Sequence, residues 1–247
     1  MPIVEADILT KLSHGTGPGD STAQTDVTDS IGGFMSSTRW ASTLLNGSIN
    51  SSVTSITVDS SAGFPASGNF DIQIDDEILT VTDGHGTTSL TVTRAAQSST
   101  AANHSDNAVV QTDPILWPDL SGDDNAASAV HYRLIFIENT HATLTYQSVK
   151  VWVSSQVSGG CDFAIGLSPV GVVDHDSASA QGETPADEDT APSGVTFSTP
   201  TSKATGLSIG NLAPGEVHGV WIRRTANDTG AVNDDGATIR HEGDTAA

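Results

Sequence analysis

Cysteine, membrane-spanning segments and targeting segments are what this sequence lacks most clearly. Cys161 is the only cysteine in 247 residues, so a disulfide within the chain and a zinc site of several cysteines are both excluded. No apolar run approaches the ~20 residues that a membrane-spanning helix needs. Residues 1–7 lack the basic start and the apolar stretch of a secretory signal peptide. These absences predict that the protein is not inserted in a membrane, that it is made in a cytoplasm, and that it reaches any outside location by assembly and not by secretion.

Positive charge is also scarce. The chain has 9 lysines and arginines against 30 aspartates and glutamates, which gives a formal net charge of −21. Only three residues are lysine, namely Lys11, Lys150 and Lys203. Binding to a nucleic-acid backbone requires clustered lysine and arginine to displace counterions. The longest basic run here is the pair Arg223–Arg224, so no nucleic-acid partner is expected.

The excess of carboxylates indicates the salt concentration to which the protein is adapted. In dilute buffer such a surface repels itself and weakens the folded state. At molar salt the Debye length falls to roughly 3 Å, and most of that repulsion is screened. Abundant aspartate with scarce lysine therefore predicts a protein adapted to very high salt. An ordinary acidic extracellular protein is the alternative.

The composition and the spacing of apolar residues predict an all-β fold. Hydrophobic residues make up 36% and aromatic residues 5% of the chain, which suits thin sandwich cores joined by many turns. Between 46 and 113, short alternating stretches separated by turn residues indicate a small barrel-like β module. Its predicted strands are Ser55–Val58, Phe70–Ile74, Glu77–Thr82, Ser89–Arg94 and Ala108–Gln111.

Longer and more apolar strands follow the connector at 114–128. They predict an immunoglobulin-like or jelly-roll sandwich formed by Val130–Ile137, Leu144–Val153, Cys161–Leu167, Gly194–Phe197, Leu207–Ile209, Val217–Arg224 and Ala237–Arg240. Residues 171–193 are poor in hydrophobes and indicate a long surface loop. We expect 1–45 to form an N-terminal arm and the first edge of the sandwich, 46–113 an inserted module and 114–247 the main domain. A simple tandem of two domains is the alternative.

Several segments resemble proteins of tailed viruses. Ile56–Gly68, Ile74–Val81, Leu90–Arg94 and Ala101–His104 together resemble a small β module of phage tail and particle-surface proteins. A second set resembles uncharacterised virion proteins of marine tailed phages and comprises Tyr132–His141, Val149–Val153, Thr190–Phe197, Leu207–Gly215, Val220–Thr225 and His241–Thr245. Leu12–Gly15 and Ser30–Gly33 resemble the start of that larger domain. With the acidic charge, the resemblance implies a structural protein of a tailed virus that infects a haloarchaeon.

The resemblance implies a location on the virion and a non-enzymatic role. We expect a capsid decoration or turret component that forms a homo-oligomer, a trimer or pentamer, and contacts the major capsid protein or other virion proteins. A tail or baseplate component is an alternative, and so is an adhesion protein that binds host-surface glycans. No cofactor is expected beyond possible structural cations.

Sequence motifs that would indicate a catalytic or metal-binding site are weak in this chain. Gly206-Leu-Ser208-Ile-Gly210 matches the Gly-x-Ser-x-Gly motif of a nucleophile elbow. Its alternating apolar pattern indicates a strand, however, and the elbow needs a turn between a strand and a helix. Asp174-His-Asp176 contains metal-binding residue types. If it lies on a strand, however, the histidine points away from both aspartates, so a solvated loop is favoured.

The loop at 227–236 offers oxygen ligands for a cation without the spacing of an EF-hand. Its candidate ligands are Asp228, Asn233, Asp234 and Asp235. Among the tryptophans, Trp152 and Trp221 lie in apolar strands and are predicted to be core residues. Trp117 lies in the connector and is predicted to anchor an interface. Cys161, at the start of an apolar stretch, is predicted to be a buried small residue.

Overall fold

The computed structural model of the protein is all-β, as the alternating sequence pattern predicts, with one short helix among the residues that it describes. It describes residues 3–4, 7–13, 31–39, 42–62, 64–75, 77–96, 99–112, 116–117, 120–228 and 235–245. The elements are β1 (Ile8–Ser13), β2 (Met35–Arg39), β3 (Ser42–Leu44), β4 (Ser55–Thr57), β5 (Phe70–Ile74), β6 (Glu77–Asp83), β7 (Ser89–Thr93), β8 (Val109–Thr112), α1 (Gly122–Ala126), β9 (Val130–Asn139), β10 (Tyr146–Gln156), β11 (Asp162–Asp174), β12 (Leu207–Leu212), β13 (Glu216–Thr225) and β14 (Ala237–Thr245). Within the described residues, no helix is long and apolar enough to cross a membrane.

Contacts between residues divide the chain into two units. The main unit consists of Met1–Ser37 and Leu116–Ala247, and the small unit consists of Thr38–Ile115. The chain therefore leaves the main unit after its first strands and returns to it at Leu116.

Two antiparallel sheets form the main unit. One has the strand order β11-β13-β9-β1-β2, and the other has the order β12-β10-β14. β10 and β12 contact β11, and β12 also contacts β13, so the two sheets meet as a sandwich. Strands β9 and β13 pair with Ile135 opposite Val220 and Leu134 opposite Trp221.

The central strands β9 and β13 are buried on both faces, which explains their nearly unbroken apolar sequence. On one face, Leu134, Phe136 and Trp221 pack together, and Val195 and Phe197 from the segment after β11 cover them. That segment also approaches the sheet closely at Gly182, where an added Cβ would lie 2.4 Å from the Leu134 side chain.

The small unit is a six-stranded antiparallel sheet in the order β3-β8-β5-β6-β7-β4. The strands at the two ends of this order are β3 and β4. Backbone hydrogen bonds join the chain at these two strands, from Asn46 N to Thr57 O (2.8 Å) and from Asp59 N to Leu44 O (2.9 Å). The sheet therefore curls around a single core. The core residues are Leu45, Ile56, Val58, Phe64, Ile72, Ile74, Leu79, Val81, Leu90, Val92 and Val110. The five strands predicted within 46–113 are confirmed as β4 to β8.

Three details of the main unit differ from the sequence predictions. The expected surface loop at 171–193 begins inside β11, which runs to Asp174, and its Gln181 is buried, with Oε1 accepting from Met35 N. Gly194–Phe197 does not form one of the strands; it covers the sheet without pairing along it. Helix α1 was not predicted. Its start is fixed by a capping box, in which Ser121 and Asp124 bond each other's backbone N–H groups.

Candidate functional site

The small unit contains a buried carboxylate, Glu77, at the start of β6. Glu77 is 0% exposed, and it faces inward because it shares the alternating phase of Leu79 and Val81. Arg94, directly after β7, follows the inward phase of Leu90 and Val92 and reaches the same point. Its Nε lies 2.7 Å from Glu77 Oε1 and its Nη2 lies 2.5 Å from Oε2, which makes a two-pronged ion pair.

Three further donors complete the surroundings of Glu77. The backbone N–H groups of Ala95 and Ala102 donate to it at 3.1 and 2.9 Å, and His104 Nε2 lies 2.9 Å from Oε2. Burial alone would raise the pKa of Glu77. The hydrogen bonds from Arg94, Ala102, His104 and Ala95 outweigh burial and lower this pKa to about 2. Glu77 is therefore an anion across the physiological range and is not suited to act as a general acid.

The same network joins three loops of the small unit. Arg94 donates to the backbone oxygens of Asn50, Val53 and Ala102 at 2.7–2.9 Å. His104 Nδ1 lies 2.8 Å from Asp75 Oδ2. Because ionised carboxylates only accept hydrogen bonds, a histidine between two of them satisfies both when both ring nitrogens carry hydrogen. This constellation works as a structural cross-link.

A shallow pocket of about 460 Å³ opens beside His104. Its lining is mostly hydroxyl and amide groups, from Ser48, Ile49, Asn50, Asn103, His104 and Ser105. Three of these groups already accept hydrogen bonds from the backbone: Asn103 Oδ1 from Ser51 N at 2.9 Å, Ser48 Oγ from Asp106 N at 3.0 Å and Asn50 Oδ1 from Ser52 N at 2.9 Å.

In the main unit, buried cations gather around Trp117. The guanidinium carbons of Arg133 and Arg224 lie 5.1 and 4.7 Å from the centroid of its ring, and the ring of His131 is stacked at 6.3 Å. Arg224 Nη2 lies 2.9 Å from His131 Nδ1, and Arg133 is paired with Glu188. Trp117 is half-buried and caps this group within its own unit. That it anchors an interface stays a prediction.

A second ionic group surrounds Glu138, which is 2% exposed. Its Oε2 lies 2.8 Å from Lys11 Nζ, and its Oε1 lies 2.8 Å from His175 Nδ1. The other ring nitrogen of His175 lies 3.2 Å from Asp176. The hydrogen bond with Glu138, helped by the charges of Asp176, Glu138 and Asp174, raises the pKa of His175 against the opposing effect of burial.

This second group overturns one geometric expectation. β11 ends at Asp174 and a turn follows, so the side chains of Asp174, His175 and Asp176 do not alternate as they would on a strand. Their ligand atoms instead lie within 4.8 Å of one another.

The predicted cation loop is described only in part. Asp228 and Asp235 are described, whereas Asn233 and Asp234 lie outside the described residues. Both oxygens of Asp235 accept from the backbone N–H of Cys161, at 3.0 and 2.8 Å, so this carboxylate already fixes the start of β11. Cation binding by the loop stays a prediction.

The remaining sequence predictions concern single residues. Cys161 is buried, as predicted, and burial next to Asp235 raises the pKa of its thiol to about 12, so it is not a reactive thiolate at neutral pH. Trp152 and Trp221 are confirmed as core residues, at 6% and 0% exposed. Ser208 lies within β12, so the elbow-like letters around it belong to a strand.

The sequence analysis missed Glu77, Arg94 and Glu138 as members of buried clusters. A signal was available in the alternation: Glu77 and Arg94 each occupy a position where the strand pattern calls for an apolar residue. For Glu138, which ends the apolar run of β9, the partners are distant in sequence and give no local signal.

The chain matches no protein-family model, and it has no significant similarity to a curated protein or to a solved structure.

Proposed function

We propose that this protein is a non-enzymatic structural component on the surface of a tailed virus particle, adapted to very high salt. In this role it is a capsid decoration or turret component that forms a symmetric homo-oligomer of three or five copies and contacts the major capsid protein or other virion proteins. The resemblance of both of its sequence regions to phage particle proteins supports this role. A tail or baseplate component is the nearest alternative within the same class.

The observation that carries the proposal is how charge is divided between the interior and the surface. Eight of the nine lysines and arginines have described side chains, and of these Arg240 is exposed and Lys203 lies at the surface in an ion pair with Glu242. The others are buried or half-buried, and three of them pair with carboxylates: Lys11 with buried Glu138, Arg94 with buried Glu77 and Arg133 with half-buried Glu188. Exposed carboxylates include Asp59, Asp83, Asp106, Asp123, Asp162, Asp174, Asp187, Asp189, Glu242 and Asp244.

This division makes the surface more uniformly negative than a net charge of −21 spread at random would be. Repulsion between exposed carboxylates is long-ranged in dilute buffer and is screened within roughly 3 Å at molar salt. The paired cations inside are shielded from that salt. Such a surface favours folding and assembly in brine, where a neutral surface would tend to precipitate.

A second candidate function is adhesion to carbohydrates on the host surface. It draws on the shallow pocket beside His104, because the hydroxyl groups of Ser48 and Ser105 and the amide NH2 of Asn50 can donate hydrogen bonds to sugar oxygens. Trp152 and Trp221 are buried and cannot stack on a sugar ring. A glycan array probed in molar salt separates this candidate from a purely structural role.

The direct test is mass spectrometry of virus particles purified by density gradient from the source of this sequence. Immunogold labelling of the intact particles then locates the protein. We expect the chain in many copies per particle with gold on the outer surface. Recovery of the chain only from cells or as free protein, with unlabelled particles, would contradict the proposal.

A further inference from the structure

Strand β14 (Ala237–Thr245) ends the three-stranded sheet of the main unit. It pairs with β10 on one side, and among the described strands none pairs with its other edge. Its nine residues alternate in exposure: Thr238, Arg240, Glu242 and Asp244 are exposed, and the residues between them are half-buried. An unpaired edge of this length is a template for addition of another strand.

The charges along β14 are complementary to those of a second copy of the same strand. Two β14 strands related by a two-fold axis run antiparallel, and residues directly opposite each other must lie on the same face of the sheet. A two-fold axis at Arg240 places the Arg240 side chains of the two copies opposite each other, and an axis at Glu242 does the same with the two Glu242 carboxylates. Both arrangements place like charges opposite each other, which is unfavourable. An axis at His241 instead places Arg240 opposite Glu242 of the second copy, twice, with no like charges directly opposite.

Both members of this pair are already held in position. The guanidinium carbon of Arg240 lies over the ring of Trp152, 5.9 Å from its centroid. Glu242 Oε1 lies 2.6 Å from Lys203 Nζ, and a carboxylate can accept further hydrogen bonds beside that one. Arg240 is also exposed on a surface rich in carboxylates. Its position on a free edge, two residues from Glu242, gives it a defined partner.

We infer that two copies of this chain associate through antiparallel pairing of their β14 strands about His241, which joins two three-stranded sheets into one six-stranded sheet. Backbone hydrogen bonds supply the attraction, and the two Arg240–Glu242 pairs select the register, because pairs that the joined strands partly bury are screened much less by salt than exposed pairs. This inference rests on the proposed oligomeric role and adds a two-fold contact to it. The contact alone gives a dimer. If the contact joins two rings of three or five copies, the assembly contains six or ten copies of the chain.

The test is disulfide cross-linking between single-cysteine variants of the full chain in molar salt. Opposite residues of antiparallel strands have Cα atoms about 4.5 to 5.5 Å apart, within reach of a disulfide, whereas diagonal neighbours are about 7 Å apart or more and are not. We therefore expect an equimolar mixture of Arg240→Cys and Glu242→Cys proteins to form covalent dimers under mild oxidation. Each variant alone should form few or none.

Wild-type protein is the matched control, because its Cys161 is buried and its thiol has a raised pKa. Circular dichroism of each variant confirms that it is folded. Cross-linking of each single variant as efficient as that of the mixture would overturn the register, and absence of cross-linking from the mixture would overturn the contact. If that absence comes with a trimer or pentamer by light scattering, the inference fails while the proposed function stands. A monomer would count against both.

Discussion

The two units bury positive charge in different ways. In the small unit, Arg94 is neutralised by Glu77, and the carboxylate has all of its hydrogen bonds filled. In the main unit, Arg133 and Arg224 lie over the ring of Trp117, and Glu188, which pairs with Arg133, is 28% exposed. The first arrangement is centred on one ionised carboxyl group, and the second combines an ion pair with the packing of two guanidinium groups on one aromatic ring.

This difference predicts that Glu77→Gln is the most damaging of the substitutions proposed for the two clusters. It leaves Arg94 and His104 facing a neutral group in a buried site, and breaking a buried pair in this way costs about 3 to 5 kcal/mol. Hydrogen exchange of the amides in β5 to β7 measures the stability of the small unit.

Asp75→Asn is the matched control for that substitution, because Asp75 bonds the other side of His104 while its side chain is 61% exposed. It should cost less than about 1 kcal/mol. Equal effects of the two substitutions would mean that Glu77 is not the centre of the network.

Trp117→Ala should have the next largest effect and should act on the main unit. Each desolvated cation–π contact is worth about 1 to 2 kcal/mol, so removal of the ring from two guanidinium groups costs about 2 to 4 kcal/mol. Urea unfolding followed by the fluorescence of Trp152 and Trp221 measures this loss, and Trp117→Phe should recover part of it. A loss of oligomer mass without a loss of stability would instead identify Trp117 as an interface anchor.

The two units should also respond to opposite ends of the pH range. The folded-state pKa of Glu77 is about 2, below the ordinary value of 4.5. Its contribution is therefore present above pH 4.5 and is lost as the pH falls towards 2. The pKa of His175 is raised above its ordinary value of 6.5, so its contribution is present below pH 6.5 and is lost as the pH rises through the folded-state value.

Hydrogen exchange followed separately for the amides of each unit, as a function of pH, measures the loss of stability of the small unit at acid pH and that of the main unit at neutral-to-alkaline pH. Glu77→Gln should reduce the dependence of the small unit's stability on pH in the acid range. His175→Gln should reduce the dependence of the main unit's stability on pH in the neutral-to-alkaline range. The second effect is the smaller because the His175 side chain is 37% exposed. Unchanged pH profiles in these variants would refute the assignment.

The smallest effect is expected at the surface pair Lys203–Glu242, whose side chains are 39% and 53% exposed. Lys203→Ala should leave stability unchanged at molar salt, because exposed ion pairs contribute little and are screened. A clear loss of stability in brine would show that surface pairs contribute as the buried clusters do.

The fold class and the positions of most strands could be predicted because they depend on local alternation. Phe70–Ile74 and Glu77–Thr82 carry the period-two pattern directly. The burial of Trp152 and Trp221 follows from the same pattern. Gly194–Phe197 was wrongly predicted as a strand because an apolar stretch that covers a sheet has the same composition as one that pairs within it.

The buried ionic clusters could not be predicted because their members meet through long-range pairing. Glu138 joins Lys11 and His175, which come from the first strand and from a turn far along the chain. For Asp174–Asp176, the expected side-chain directions failed at the point where β11 ends, a boundary that the sequence does not mark.

The most direct test of the central claim, a particle-surface oligomer adapted to brine, is light scattering with circular dichroism in molar salt and in dilute buffer. We expect a defined symmetric oligomer in molar salt that dissociates or unfolds as the salt is removed, because the exposed carboxylates then repel one another. A well-folded monomer in both buffers would contradict both the oligomeric role and the adaptation to high salt.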